Sequence, residues 1–455
     1  MKTPFTLLFA ALVLAGCASA PPSAPALPDV PSAFREAAPV QSPVASTTAW
    51  WQAFADPQLD TLVQRAERGN TSVHAAAARL ASARALLRRA EGERLPQVGA
   101  SAGAVREASP QTGYRPATTI SLGANLSYEL DIAGRLTKAR DAAALDAAER
   151  EALLRDTQLL VQAEVVRGYF ALRAIDAERA LVQGTVASYR NTLSLTERRF
   201  AAGDLPELEV ARVRSELAAN ESEALALERQ RSQVEHALAL LIGEAPNHFS
   251  LAAAEWSPAL PQVPAGLPSA VLARRPDIAA AQQALLAAQA RVGIAQAAWW
   301  PTLSLTASGG QASPELSDLL KSGAHTFGIG TLLAMPLFDG GQRQAGVARA
   351  EAELTGASVR LREQVLVALR DVEDELAAVR LLAEQADAQR RAVDAAARVS
   401  ALAEARYRNG FVSQLELLDA QRIELRSRRQ DLQVRAARVQ ATVGLMRALG
   451  GAWAA

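Results

Sequence analysis

In Thr119–Leu130, TISLGANLSYEL, apolar and polar side chains alternate without a break, and this pattern points to the fold class of the 455-residue chain. Alternation with a period of two is typical of a β-strand that has one apolar face and one polar face. A strand of about 9–11 residues is long enough to cross the hydrocarbon core of a membrane. The stretch therefore predicts a membrane strand whose polar face lines an aqueous interior.

Three other segments share this pattern, so that strands are predicted at about residues 97–106, 117–131, 302–310 and 325–338. Four strands cannot close a barrel, and unpaired backbone groups at an open edge cost several kcal/mol each in lipid. Single-chain outer-membrane barrels start at about 8 strands. Several chains must then share one barrel, and two, three or four copies would supply about 8, 12 or 16 strands. A half-buried soluble sheet is the alternative interpretation of the same alternation.

Long helices are predicted where the sequence lacks proline. No proline occurs in residues 117–205, in residues 207–245 or after Pro336, and a proline inside a helix costs about 3 kcal/mol. The two longest such segments, at about 134–202 and 342–408, would each extend about 100 Å. Each has an apolar seam with the coiled-coil spacing of three and four residues. The seam residues are Val182, Val186, Tyr189, Leu193, Thr196 and Phe200 in the first segment, and Leu361, Val365, Ala368 and Val372 in the second.

The ends of the two long segments indicate an internal duplication. Residues 199–203, RFAAG, and residues 406–410, RYRNG, lie 207 positions apart. Glycine favours the left-handed conformation that terminates a helix. Asp204 with Glu207, and Ser413 with Glu416, then have the spacing of a capping box at the start of a new helix. The sequence predicts one tight helical hairpin in each of two repeats, at residues 49–248 and 249–455.

The N-terminus has the features of a secretory signal at residues 1–16. Lys2 precedes an apolar run of about eleven residues, which is too short to span a bilayer. The following LAGC matches a bacterial lipobox, and Cys17 is the only cysteine of the chain. We expect acylation of Cys17, with a buried thiol as the alternative. Ala18 stands where an aspartate would retain a lipoprotein in the inner membrane, which favours the outer membrane. Residues 17–48, rich in proline and alanine, would form a lipid-anchored tether.

Composition and motifs argue against catalysis. The 48 Lys and Arg residues balance 48 Asp and Glu residues, without the basic surplus of a nucleic-acid-binding protein. One cysteine and four scattered histidines lack the spacing of a metal site. Neither a phosphate-binding loop nor a nucleophile motif occurs. We predict that the chain is not an enzyme and binds no cofactor, metal or nucleic acid, so that a partner would supply the energy for transport.

Throughout its mature length the sequence resembles the outer membrane factor family of TolC-like channels. Within that family it is similar to the lipoprotein branch of multidrug-efflux outer membrane channels (NodT/OprM-like). Apart from the lipobox, the resemblance rests on six phrases that follow one another in this order: residues 50–59, 128–136, 263–268, 274–278 (RRPDI), 417–422 and 448–453.

The resemblance implies a membrane α+β fold with an internal duplication. In this fold three copies build a 12-stranded outer-membrane β-barrel, with four strands per chain, which a long periplasmic α-helical barrel continues. The family therefore selects the homotrimer among the oligomers that the strand count permits.

The resemblance also implies a periplasmic gate. Leu415 and Asp419 match a leucine and an aspartate that narrow the pore of similar channels, and they lie one helical turn apart. Three copies would form an apolar ring and an acidic ring, with a solvated surface carboxylate as the alternative role of Asp419. Arg406, Tyr407 and Arg422 match positions tied to closing contacts between neighbouring hairpins.

The first repeat lacks the acidic residue of the gate. Leu208 corresponds to Leu415, but Arg212 stands at the position that corresponds to Asp419, so the second repeat alone would supply the ring. The resemblance further implies that the hairpin turns at Gly203 and Gly410 dock a periplasmic adaptor.

The function implied by these features is that of an outer-membrane exit channel in tripartite efflux. An inner-membrane pump of the RND type and a periplasmic membrane-fusion adaptor would deliver small amphipathic compounds to the homotrimer, which is anchored by lipid and extends into the periplasm. One alternative is the outer-membrane channel of a type I protein secretion system. A second is a periplasmic coiled-coil lipoprotein without a pore.

Overall fold

The computed structural model describes residues 30–36, 49–108, 110, 113–254, 256, 259–261, 263, 264 and 266–451. The predicted signal peptide, Cys17 and most of the predicted tether lie outside these residues. The chain divides into two compact units. The sheet unit contains Gly92–Ala142 and Leu285–Arg362, and the helical unit contains the described parts of Val30–Glu91, Ala143–Ala284 and Glu363–Ala455.

Helices dominate the described residues, and the strands come in two pairs. The helices are α1 (Pro57–Gly69), α2 (Thr71–Gly92), α3 (Arg135–Ala201), α4 (Glu207–Leu241), α5 (Pro268–Arg274), α6 (Pro276–Ala297), α7 (Gln342–Arg408) and α8 (Gln414–Ala448). The strands are β1 (Gln97–Glu107), β2 (Ala117–Leu130), β3 (Thr302–Ser313) and β4 (His325–Ala334). No helix within the described ranges combines the length and the apolar character needed to cross a membrane.

The sheet unit holds one four-stranded antiparallel sheet in the order β1-β2-β3-β4. Its register places Leu126 opposite Val98 and Ala307, and Asn125 opposite Gly99 and Ser308. Because directly opposed residues share a face, the apolar side chains collect on one side of the sheet and the polar side chains on the other. The strands β1 and β4 form its two edges.

Two strand ends differ from the predicted bounds. The fourth strand ends at Ala334 rather than near Phe338, because Pro336 follows and proline cannot donate a backbone hydrogen bond to a neighbouring strand. The third strand continues beyond residue 310 to Ser313. Just before this extension lies Gly310, where a Cβ atom would collide with the backbone of Leu122 and Gly123, so only glycine allows β2 and β3 to approach this closely.

The helical unit contains both hairpin turns and most of the long helices, whose bounds repeat with the predicted offset. Helices α3 and α7 begin and end 207 residues apart, and so do α4 and α8. The second seam is buried throughout at Leu361, Val365, Ala368 and Val372. In the first seam Val182, Val186, Tyr189 and Thr196 are buried, whereas Phe200, at the end of the helix, is 44% exposed.

Residues 30–36, within the helical unit, contact helices α7 and α8 in three ways. Phe34 is 5% exposed and lies in an apolar cluster with Val372 and Leu445. The backbone N–H groups of Arg35 and Glu36 donate to the two carboxylate oxygens of Glu373, at 2.8 and 3.2 Å. Arg380 donates to the carboxylate of Glu36 at 2.9 Å. We call this set of contacts the Phe34 clip. It holds residues 30–36 of the chain, which follow the predicted lipid anchor, against α7 and α8.

Candidate functional site

The two hairpin turns have the same backbone geometry. The N–H of Gly203 donates to the carbonyl oxygen of Phe200 at 2.9 Å, and that of Asp204 donates to Arg199 at 2.9 Å. In the second turn, Gly410 donates to Tyr407 at 3.0 Å and Phe411 to Arg406 at 2.9 Å. The glycines have φ values of 81° and 77°, which L-residues with a Cβ atom rarely adopt. The glycines therefore set the tight reversal of each hairpin.

The helices that leave the turns are capped differently. At the second turn the hydroxyl of Ser413 accepts a hydrogen bond from the N–H of Glu416 at 3.2 Å, as a capping residue does. At the first turn Pro206 holds the cap position, and no side chain accepts a hydrogen bond there. The predicted cap from Asp204 was wrong, because the helix starts at Glu207, directly after the proline.

The turn at Gly410 permits a direct stability test. Replacing Gly410 by alanine should destabilise the helical unit by about 1–2 kcal/mol, because a Cβ atom is disfavoured at positive φ. Gly184 is the matched control, because it lies inside α3 with open space around its Cα, where alanine should stabilise the helix by about 0.5–1 kcal/mol. Thermal unfolding followed by circular dichroism measures both. Equal melting temperatures for the Gly410→Ala variant and the unmodified protein would contradict the assignment.

The candidate gate residues Leu415 and Asp419 lie in the first two turns of α8. The side chain of Leu415 is 41% exposed, although leucine is apolar, and that of Asp419 is 53% exposed. Their neighbours Leu417 and Leu418 are buried in the same chain. The exposed pair therefore lies on the side of α8 that no part of the described chain covers.

An ion-pair network links Asp419 to the first repeat. Arg422 donates from Nη1 to the carboxylate of Asp419 at 3.0 Å, and from Nη2 to the carboxylate of Glu216 on α4. The hydrogen bond with Glu216 and the negative charge of that residue raise the pKa of Arg422. Arg422 therefore carries a fixed positive charge that joins the two hairpins of one chain.

Buried Tyr189 supports this network from α3. Its ring is 2% exposed and lies in an apolar cluster with Val213 and Leu418. Burial, together with the nearby charge of Glu216, raises the pKa of Tyr189 to about 12. The phenol therefore stays neutral at physiological pH, and it lines the same cavity as Glu216 and Arg422.

The other two predicted closing residues, Arg406 and Tyr407, are not part of this network. The side chain of Arg406 is exposed and that of Tyr407 is half-buried. Within the described residues neither side chain forms a hydrogen bond or an ion pair. Their backbone carbonyl oxygens, by contrast, accept the hydrogen bonds that close the second turn.

Glu216 is a functional candidate that the sequence pattern does not predict. Two arginines of α8 pair with glutamates of α4 that stand 206 positions earlier, namely Arg422 with Glu216 and Arg429 with Glu223. The repeats are offset by 207, so each pair joins residues at nearly the same level of the two hairpins. The sequence signal that could have identified Glu216 is therefore an arginine of α8 and a glutamate of α4 that stand 206 positions apart, one less than the repeat offset.

The first repeat places a different contact at the position that corresponds to Asp419. Arg212 donates to Glu209 on the same helix at 3.0 Å, so its charge is paired within α4.

Within the described ranges, no group of three or more His, Cys, Asp or Glu side chains could hold a metal ion.

Comparisons with known proteins agree with this architecture. The sequence profile of the outer membrane efflux protein family matches residues 62–244 and 267–451. The chain is 32% identical over 469 aligned residues to the solvent efflux pump outer membrane protein SrpC of Pseudomonas putida, covering 100% of this chain and 99% of SrpC. It is 29% identical to the probable outer membrane lipoprotein SilC of Salmonella typhimurium, with 97% of each chain covered.

Solved structures show the same fold. The outer-membrane channel OprN superimposes with a TM-score of 0.88 and 28% identity, covering 96% of this chain and 98% of that one. The predicted fold class is confirmed, since OprN and the other solved structures that superimpose on the chain are trimeric outer-membrane channels with a β-barrel and an α-helical tunnel. With both halves matched by one family profile, the chain belongs to the outer membrane efflux protein family and is a protein of the outer membrane.

Proposed function

We propose that this protein is the outer-membrane exit channel of a tripartite efflux system. The proposal rests on the antiparallel sheet, which has one apolar face, one polar face and two open edges at β1 and β4. The same chain also contains the two long helical hairpins. Open sheet edges do not persist in lipid. A sheet of this kind is therefore a section of a barrel that other copies complete, and the polar face lines its interior.

Three copies give the barrel. Four strands from each copy supply 12 strands, within the range of known outer-membrane barrels. The edge strand β1 of one copy then pairs with β4 of the next, which satisfies the backbone groups that a single copy leaves open.

The gate of the proposed channel is formed by three copies of α8. Three Leu415 side chains form an apolar ring and three Asp419 carboxylates form an acidic ring one turn further along the helix. Arg422 holds each Asp419 in place and is itself held by Glu216. The side chains of Arg406 and Tyr407 contact a neighbouring copy, which would account for their lack of partners among the described residues of their own chain.

The partners lie on the periplasmic side. A membrane-fusion adaptor docks on the hairpin turns at Gly203 and Gly410, and an RND-type pump in the inner membrane provides the energy. The chain itself performs no catalysis and conducts passively. Its cargo is small amphipathic compounds. In support, the relative SrpC is named as part of a solvent efflux pump.

A planar-bilayer recording tests the channel function. Purified trimer should give stepwise conductance, with long closures that reflect the gate. A protein that stays silent even after the gate residues are substituted would contradict the proposal and favour the coiled-coil lipoprotein without a pore. The type I secretion alternative predicts that deletion of the gene blocks export of a secreted protein and leaves the resistance of the cells to solvents unchanged.

We further propose that Cys17 carries the lipid anchor, after removal of residues 1–16, and that residues 17–48 precede the repeats at 49–248 and 249–455. The lipobox around the only cysteine supports this. Cells grown with labelled palmitate should incorporate label into the native protein and not into the Cys17→Ala variant. The variant should still form trimers, because the barrel buries its own strands. Equal labelling of both proteins would contradict acylation at Cys17.

A further inference from the structure

A cavity of about 930 Å³ lies between three helices of the helical unit. Its walls come from residues 164–178 of α3, 223–241 of α4 and 429–440 of α8. Pockets that bind small organic ligands usually have volumes of about 300–1,000 Å³. This space, which we call the Glu164 groove, is therefore large enough to hold one drug-sized molecule.

Small side chains on all three helices create the space. They are Gly168, Ala171 and Ala174 on α3, Ala237 on α4, and Ala436 and Ala437 on α8. Larger apolar side chains of the lining are buried against other parts of the unit. Leu227 packs with Val182 and Val186, and Leu238 belongs to the largest apolar cluster. The middle of the groove is therefore apolar, and packing holds its walls in place.

The second repeat does not carry the same small residues. At the offset of 207, Gly168 and Ala174 of α3 correspond to Glu375 and Leu381 of α7. The carboxylate of Glu375 fills the space beside Gly444 of α8 that a Cβ atom there would take. The duplication alone therefore does not account for the groove, which depends on small residues particular to the first repeat.

The arginines of the groove already have carboxylate partners. Three glutamates and two arginines line it. Arg429 is shared between Glu178, at 2.7 Å, and Glu223, at 2.5 Å, while Arg167 pairs with Glu375 at 3.5 Å. Neither guanidinium is free to hold an anion, and the carboxylates exceed the arginines. The charge of the groove therefore favours a cationic ligand.

Glu164 is the third glutamate of the lining, and it is exposed. Among the described residues, its side chain forms no hydrogen bond or ion pair. A carboxylate beside apolar walls attracts a cation more strongly than one surrounded by water. The exposed amides of Gln230, Gln233 and Gln433 add neutral hydrogen-bonding groups along the rim. These features fit a ligand that has an apolar body and one positively charged group.

We propose that the Glu164 groove binds amphipathic organic cations, with the cationic group beside Glu164 and the apolar body against Ala171, Ala174 and Leu238. In the exit channel of the proposed function, on which this role rests, the groove holds positively charged cargo in preference to anionic cargo. Binding itself requires no conduction, so the site and the channel can be tested separately.

Fluorescence polarisation of rhodamine 6G, an amphipathic cation, tests the site on the trimer in lipid nanodiscs, with empty nanodiscs as the blank. Glu164→Gln should weaken the affinity by about 5–10-fold, because one attractive charge is lost. Added salt should weaken binding to the unmodified protein more than binding to this variant. The matched control is Glu363→Gln, which should leave the affinity unchanged, because Glu363 is exposed on α7 and lies outside the groove.

A second variant tests the apolar part of the groove. Ala174→Leu introduces the residue that the second repeat has at the corresponding position, and it should weaken rhodamine 6G binding by about tenfold because the added carbons occupy the space of the ligand. Ala174→Ser, which hardly changes the volume, should bind the dye as the unmodified protein does. Carboxyfluorescein, an anionic dye with a similar ring system, should bind far more weakly than rhodamine 6G to the unmodified protein.

The outcomes separate the site from the channel. A trimer that conducts in a planar bilayer but binds no rhodamine 6G would overturn the site alone, and this result is expected if part of a second copy fills the groove. Equal affinity of the unmodified protein, Glu164→Gln and Ala174→Leu would also overturn it, since the dye would then bind elsewhere. Binding that both variants weaken, in a protein that stays silent even after the gate residues are substituted, would support the site and overturn the channel.

Discussion

Replacing Asp419 by alanine should open the periplasmic end of the channel, with a several-fold rise in mean conductance and sensitivity of the cells to vancomycin, which intact outer membranes exclude. The substitution removes three carboxylates from the proposed ring. It also removes one of the two acceptors of Arg422, so the guanidinium is held by Glu216 alone. Leu415→Ala should have the same direction of effect, because it removes the apolar constriction one turn away.

The matched control for the gate is Glu416→Ala. Glu416 is another exposed acid in the first turn of α8, but it stands three residues from Asp419 and outside the Arg422 network. Its loss should leave conductance and vancomycin resistance unchanged. Unchanged permeability in both Asp419→Ala and Leu415→Ala would contradict the gate, and Asp419 would then be an ordinary surface carboxylate. An equal rise in Glu416→Ala would show that the effect depends on net charge rather than on the ring.

Replacing Arg275 by alanine should cost about 3 kcal/mol of stability, because it leaves the largely buried carboxylate of Asp277 without its counter-charge. Arg275 is 7% exposed and donates to Asp277 at 2.7 Å, to Asp371 at 3.4 Å and to the carbonyl oxygen of Ala448 at 3.0 Å. It thereby joins the start of α6 to α7 and to the end of α8. Thermal unfolding of the purified protein should show a melting temperature lower by many degrees.

The pH dependence of this loss identifies its cause. Burial alone would raise the pKa of Asp277, but the hydrogen bonds and charge of Arg275 outweigh burial and lower it. A carboxyl with a lowered pKa stabilises the folded state above its unfolded pKa, and this contribution is lost as the pH falls through the folded pKa. The stabilisation by Arg275 should therefore be fully present at neutral pH, and the deficit of Arg275→Ala should shrink only as the pH falls below about 4, through the lowered folded pKa of Asp277.

The neighbouring arginine provides the control for this prediction. Arg274 is exposed, and Arg274→Ala should change stability by less than about 0.5 kcal/mol. Arg275→Lys should fall between the two, because an ammonium keeps the charge but loses the bidentate contact with Asp277. Equal stability of the two alanine variants would show that the Arg275 cluster contributes nothing to the fold.

The regular elements were predictable from sequence because their patterns are long. Proline-free segments and the 207-residue offset located α3, α4, α7 and α8, since a helix needs only local hydrogen bonds. Strand ends were less certain. Proline at residue 336 shortened β4, while the glycines of β3, which weaken a local strand signal, did not end that strand because it pairs on both sides.

Contacts between distant segments were not predictable from one sequence. The RRPDI phrase could be recognised as typical of a family, but nothing local shows that Arg275 reaches the carbonyl oxygen of Ala448. The role of Glu216 depends on the two hairpins lying side by side. Likewise, Phe200 follows the seam spacing, yet it is exposed because the seam loses its partner helix at the turn. Such errors arise where tertiary packing outweighs local periodicity.

The Phe34 clip limits how far the helical unit can lie from the membrane anchor. Seventeen peptide units separate Cys17 from Phe34, and a fully extended chain spans at most about 3.6 Å for each. If Cys17 is acylated as proposed, its lipid therefore enters the bilayer within about 60 Å of the cluster that holds Phe34. The length of the chain between Cys17 and Phe34, rather than the length of the helices, then sets the greatest distance from the membrane at which the contacts of the Phe34 clip can form.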